Sequence, residues 1–293
     1  MTLMKYALLS YSTYNLGDEI QSIAAQDFLP RIDAFIDRDH NARNQAYDPT
    51  TKLIMNGWFT HYPEHWPPGG SVDSLLISVH LTVDPGWRTG VSIRDIVSSS
   101  RDLRSFLSKS GPVGARDRST EQFLCDLGID SYFSGCLTLS LKRPDFSRDE
   151  GLTIYCDVPI MPGLPIRRDG LQIARTTHLD METVGREARF AKASSLINLY
   201  ARAKCVVTTR LHCALPCLAM GTPVLLLDGG TDPRLSGLRE LLHWTTFDDF
   251  VSGKSGYDIN DPPPNKTDFH PLRETMATKV RAFLSDAETK LPK

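Results

Sequence analysis

A chain of 293 residues, 41% hydrophobic and 23% charged, has the composition of a soluble globular protein and the length for two domains of about 140 residues. A formal net charge of -2, with Lys and Arg scattered along the chain, excludes the basic signature of a nucleic-acid binder. No stretch approaches the ~20 apolar residues of a membrane helix, and the N-terminus lacks a signal peptide's apolar core and cleavage site, so the cytoplasm is the expected setting.

Strands and helices alternate along the chain. Lys5–Tyr11 reads as a strand, followed by the polar loop Ser12–Asp18 and a helix carrying Ile20, Ile23, Ala24 and Phe28 at helical spacing, stopped by Pro30. Ile32–Ile36, Leu53–Met55 and Leu75–Val79 read as strands, the last one buried on both faces. Arg101–Leu107 reads as a helix, Val113–Ala115 as a strand, Thr120–Leu127 as a helix closed by Gly128, and Ser131–Phe133 as a strand. The polar, turn-rich stretch Lys142–Gly151 is the expected linker. A second series follows: strands at Leu152–Val158 and Gln172–Thr176, a long helix from Glu182 to Ala201, a strand at Cys205–Thr208, a helix at Leu211–Met220 and a strand at Pro223–Leu227. A short helix at Leu235–Leu242, an extended loop at Asp258–His270 and a terminal helix at Thr275–Leu284 complete it. This alternation predicts an α/β protein with two Rossmann-like, doubly wound domains, residues 1–145 and 146–293, facing across a cleft.

Three strand-to-helix turns carry candidate chemistry. The first is Asn15-Leu-Gly-Asp18-Glu-Ile-Gln21, where Gly17 permits a tight turn and Asp18 is placed to cap the helix. The second is Arg116-Asp117-Arg118-Ser119, where Arg116 is placed to face the cleft and Ser119 or Thr120 to cap the helix. The third is Thr208-Thr209-Arg210-Leu211-His212. A guanidinium offers a planar fork for carboxylate or phosphate, an imidazole exchanges a proton near neutral pH, and a helix start offers unpaired N–H groups. Pro216 cannot donate to the carbonyl of His212, so this helix should start irregularly.

Weaker candidates line other strand ends. His80 follows Leu75–Val79, and Asn56-Gly57-Trp58-Phe59 closes a strand, with aromatic packing as its expected role. Arg234 ends the Gly-rich loop Asp228–Arg234. His61, His65 and His243 have aromatic or apolar neighbours and read as structural. No Gly-x-Gly-x-x-Gly and no Gly-x-Ser-x-Gly elbow is present, so neither a standard dinucleotide site nor a serine hydrolase is expected. The six cysteines read as reduced and buried. Cys213 and Cys217 lie four apart on one helix, but their neighbours are core-like and no second Cys/His pair is evident in the sequence, so no metal and no cofactor are expected.

Five segments, in order, resemble the polysaccharide pyruvyl transferases: Asn15–Gln21, Ile54–Phe59, Val113–Thr120, Ser134–Leu139, and Thr208–His212 through Val224. The resemblance runs from Asn15 to about Leu242. It implies a fold similar to GT-B glycosyltransferases. It also implies transfer of pyruvate from phosphoenolpyruvate onto two hydroxyls of a sugar, forming a cyclic ketal and releasing phosphate. By that resemblance Arg210 and His212 belong to the donor site, with Arg116 as partner, and Asn15 and Arg234 are further donor contacts. His212 is the expected acid, Asp18 or His80 the group that orients or deprotonates the acceptor, and Gln21, Asn56 and His80 the acceptor side. The partners are phosphoenolpyruvate and a sugar or oligosaccharide, free or lipid-linked. Two alternatives remain: a GT-B glycosyltransferase using a nucleotide sugar, and a non-catalytic homologue that binds an anionic ligand.

Overall fold

The computed structural model describes residues 4–40, 51–59, 62, 65–68, 72–86, 90–164 and 172–289; His61 lies outside them. The chain divides into two compact units. The first comprises residues 1–13, 21–137 and 271–293, the second residues 14–20 and 138–270. Both are α/β, each built on one parallel sheet.

In the first unit, β1 (Lys5–Ser10), β2 (Ala34–Asp37), β3 (Thr51–Trp58), β4 (Asp73–His80), β5 (Val113–Ala115) and β6 (Ser131–Phe133) form a sheet in the order β2-β1-β3-β4-β5-β6. The strands run as near-continuous apolar stretches because a parallel sheet is covered on both faces. Leu9, Ile36, Met55, Leu76 and Val79 are fully buried in its core. Connecting helices are α1 (Gly17–Gln26), α2 (Ile93–Ser99), α3 (Arg101–Lys109) and α4 (Arg118–Asp126). Sequence periodicity does not register α2, a seven-residue segment; Ser92 and Ser100 bound it, each accepting a backbone N–H as a cap, for α2 and α3 respectively.

In the second unit, β7 (Asp149–Cys156), β8 (Gln172–Thr176), β9 (Ala203–Thr208), β10 (Val224–Leu227) and β11 (His243–Thr245) give the order β11-β10-β9-β7-β8. Counted from β7, this is the doubly wound order 2-1-3-4-5, with its reversal between β7 and β9. The helices are α5 (Arg186–Arg202), α6 (Leu211–Met220) and α7 (Phe247–Val251); α8 (His270–Thr289) begins as the chain re-enters the first unit. Among the described residues no helix is long and apolar enough to cross a membrane.

Several expectations shift. A single boundary at residue 145 becomes a discontinuous division, because residues 14–20 pack with the second unit and the terminal helix with the first. Lys52, almost fully buried, binds the carbonyl of Phe283 at 3.1 Å and lies 4.2 Å from the centre of its ring, which anchors that helix. The expected linker is shortened, since Asp149–Gly151 already belong to β7. Helix α5 starts at Arg186 rather than Glu182. Asp180 Oδ1 accepts from the N–H groups of Glu182 and Thr183, and Gly185 at φ 93° interrupts helical backbone. The expected helix at Leu235–Leu242 is two short 3-10 turns, split around Gly237 at φ 81°. Cys125 is exposed, whereas the other five cysteines are buried.

Residues 144–148 carry no regular structure, and residues 145–148 are exposed, although the Arg148 guanidinium donates to the Gly221 carbonyl at 2.9 Å. Limited trypsin digestion should therefore nick first after Arg148 or Lys142. Initial cleavage confined to 258–270, followed by mass spectrometry of the fragments, would overturn this expectation.

Candidate functional site

In a doubly wound sheet, ligands bind beyond the carboxyl ends of the strands at the point where strand order reverses. In the second unit that point lies past β7 and β9. Asp157 follows β7 directly, and Thr209-Arg210 follow β9 directly.

These two strand ends are tied together. Thr208 Oγ1 donates to the Cys156 carbonyl and Thr209 Oγ1 to the Asp157 carbonyl, both at 3.0 Å. This explains why β9 turns polar where a core strand stays apolar. Thr208 Oγ1 also accepts the Arg210 N–H at 3.0 Å. Arg210 Nε donates to Asp157 Oδ2 at 2.9 Å, with about a third of the arginine side chain exposed (34%). Asp157 collects the His178 N–H at 2.9 Å and the Thr177 hydroxyl at 2.5 Å as well. Burial pushes its pKa up, but these hydrogen bonds and the Arg210 charge outweigh burial and hold the carboxyl below its ordinary range. Asp157 sits at φ 54°, in the left-handed region that a non-glycine residue rarely adopts. The bonds it accepts keep that backbone in place, and strain so held clusters at functional sites.

Helix α6 starts at this edge. Arg210 is its N-cap in extended backbone, and its carbonyl accepts from Cys213 and Ala214. His212 has non-helical backbone, φ -101° and ψ 17°. The irregularity predicted from Pro216 is thus present, and it lies at the half-buried histidine itself. Gly221 at φ 73° ends the helix.

The Asn15–Glu19 segment belongs to the same unit. Leu16 N–H donates to the His178 carbonyl at 2.8 Å, and Asp180 N–H to the Tyr14 carbonyl at 2.7 Å. Asn15 Oδ1 accepts the Gly17 N–H at 3.0 Å. A Cβ on Gly17 would stand 3.0 Å from Asn15 Oδ1 and 3.1 Å from Nδ1 of both His178 and His212. Glycine is needed here for close approach, and this approach brings Asn15 and His212 to one place. Asp18 lies inside α1 rather than capping it, since the helix begins at Gly17 and the capping side chain of the turn is Asn15. Glu19 is locked to Arg189 of α5 by two bonds of 2.6 and 3.1 Å, both side chains buried.

Arg234 is paired with Asp232 two residues away, at 2.8 Å from Nε to Oδ2. In the first unit His80 Nδ1 lies 2.5 Å from Asp117 Oδ2, the two side chains essentially fully buried, with Trp58 edge-on to the imidazole at 5.5 Å. Asp117, not Ser119 or Thr120, caps α4 by accepting the Thr120 N–H at 2.9 Å. Burial raises the Asp117 pKa, but His80 and Arg116 outweigh it and leave the carboxyl below its ordinary range. Arg116 is buried beside Asp117, with Nε 3.8 Å from Oδ2. Asn56 Nδ2 donates to the Gln21 backbone carbonyl at 3.0 Å where the β3–β4 register slips. Sequence reasoning missed Asp157, His178 and Arg189. None lies in a recognisable motif; the only signal is that Asp157 lies at the end of the expected strand Leu152–Val158, one residue past the last residue of β7.

A family model described as polysaccharide pyruvyl transferase matches residues 15–230, about three-quarters of the chain. No curated protein matches. Among solved structures, a protein of uncharacterised function from Klebsiella pneumoniae subsp. pneumoniae NTUH-K2044 is 15% identical, with a TM-score of 0.45, over 78% of this chain and 85% of that one. The wall teichoic acid polymerase TagF is 10% identical, with a TM-score of 0.42, over 96% of this chain and 84% of that one.

Proposed function

The chain belongs to the polysaccharide pyruvyl transferase family, and from that premise we propose that it moves pyruvate from phosphoenolpyruvate onto two hydroxyls of a sugar. The observation that supports this most is the placement of Arg210 and His212 past β9, at the reversal point of the second sheet. A GT-B-like fold and a cytoplasmic setting fit the same reading.

Phosphoenolpyruvate joins a carboxylate and a phosphate, so its site needs fixed cations. Arg210 is held in position by Asp157 yet is partly exposed, and it supplies one planar fork. The N–H groups at the start of α6 favour the same anion. His212 protonates the methylene carbon, which makes the neighbouring carbon electrophilic. A sugar hydroxyl adds there, and its proton returns to the imidazole. Phosphate leaves with the pair of electrons from the broken C–O bond, the second hydroxyl closes the ketal, and its proton departs with phosphate. Arg116 is the second donor cation in this proposal. Asn15 is a donor contact, while Asp18 or His80 orients the acceptor. The transfer itself is expected to need no metal ion, because arginines supply the positive charge.

The direct test is mass spectrometry of candidate sugar acceptors incubated with phosphoenolpyruvate. A gain of one pyruvate less one water, with stoichiometric phosphate, supports the proposal. Transfer of a whole sugar from a nucleotide sugar, or binding without turnover, would replace it. Arg210→Lys and Arg116→Lys keep the charge and lose the bidentate geometry, so each should raise the donor KM. The expected loss is about 1.5–3 kcal/mol, roughly 10- to 150-fold. Acceptor binding should stay nearly unchanged, and the double variant should fall short of the sum. An effect confined to the acceptor KM would remove that arginine from the donor site.

A further inference from the structure

Behind His212 the second unit gathers three metal-ligating side chains that the donor chemistry does not use. Cys156 ends β7, His178 follows β8, and Cys213 lies in the first turn of α6. Their ligand atoms all lie within 4.8 Å of one another, and all three residues are buried. The Tyr200 hydroxyl, from α5, is 2.9 Å from His178 Nε2 and 3.3 Å from Cys156 Sγ. Four donors thus converge from four elements of one unit. The sequence hides this, because its only close Cys pair, Cys213 and Cys217, is not the grouping that forms.

We propose that Cys156, His178 and Cys213 form a site for one thiophilic divalent cation such as zinc, with the Tyr200 hydroxyl at the fourth corner. Geometry supports it. Tetrahedral zinc with sulfur at about 2.3 Å and nitrogen at about 2.0 Å has edges of about 3.3–3.8 Å. The two Tyr200 distances are at or below the short end of that range, and the widest separation in the triad needs to close by about 1 Å. Donor chemistry agrees, since two sulfurs and one imidazole select zinc over magnesium or calcium. Charge also agrees: two thiolates neutralise a divalent ion, so occupancy adds no net charge beside the anion-binding edge. Both sulfurs bind a metal as thiolates, so binding releases their protons. The ion is a clamp on the ends of β7 and α6, not a reactant.

Full-length protein produced in zinc-supplemented medium should carry one zinc by native mass spectrometry. Its cobalt-substituted form should show thiolate-to-cobalt charge-transfer absorption. Cys156→Ala and Cys213→Ala should each lose both signals, whereas Cys205→Ala, a buried cysteine of β9 outside the triad, should keep them. Stripping the ion should lower the melting temperature while leaving turnover at ambient temperature unchanged. Wild-type protein decides the matter even if the alanine variants do not fold. With zinc, amides at 156–158, 176–180 and 211–215 should exchange more slowly than in stripped protein. Absence of bound zinc, absorption that persists in Cys213→Ala, or unchanged exchange would each overturn the site.

Discussion

His212→Ala should lower kcat by about 10²–10⁴-fold, the range typical for loss of a general acid. The fold should survive. Alanine is the best helix former, and the backbone at this position, φ -101° and ψ 17°, is open to any residue. The side chain is only half-buried, so its removal opens no closed cavity. The donor KM should change little, because in the proposed mechanism Arg210 carries donor binding. His212→Gln is the informative companion: it keeps a polar side chain of similar reach but cannot deliver a proton, and should be as slow. Steady-state kinetics with both variants decide the assignment. A variant with near-wild-type kcat would strip His212 of the acid's role.

The second large effect should be on stability. Arg189→Met leaves Glu19 as a buried carboxylate without its two guanidinium bonds, a change that typically costs about 3–5 kcal/mol. Glu19 already has its pKa raised, by burial first, against the lowering effect of Arg189. Removing Arg189 raises it further. A carboxyl with a folded-state pKa above its unfolded value binds more protons when folded, so stability falls as pH rises. The deficit should therefore be largest at neutral pH and shrink as pH falls toward 5. Glu19→Gln combined with Arg189→Met should recover much of it. Urea unfolding at two pH values tests this; a deficit that is constant or grows in acid would mean the carboxylate is not the destabilising group.

How much of this was legible in the sequence depends on the range of each interaction. Strand–helix alternation and the Thr-Thr-Arg-Leu-His turn are local, and both appear where periodicity and Pro216 put them. Caps were harder, because neighbouring polar residues compete for the same N–H groups. Asp117 won over Ser119 and Thr120, and Asn15 over Asp18, and only backbone geometry decides such contests. The Asp157 hub and the cysteine–histidine triad were not legible. Their members are separated by 20 to 57 residues and meet only because β8 and β9 flank β7 in the sheet. The shortened linker has a similar cause: Asp149 looks like a turn residue, but pairing with Ala203 makes it strand.

The path of the chain has a consequence for synthesis. The first unit opens with residues 1–13 and is completed by residues 271–293, while residues 14–20 belong to the other. On the ribosome, β1 through β6 emerge early but must wait for the last helix, whose Phe283 meets Lys52 across 231 residues of sequence. Closing a loop of that length is slow, and strand edges and apolar faces stay uncovered meanwhile. The second unit can assemble in the interval, since its earliest piece is already made. A fragment ending near residue 145 should therefore aggregate rather than fold. A circular permutant that joins 271–293 ahead of β1 should shorten the wait and raise the soluble yield.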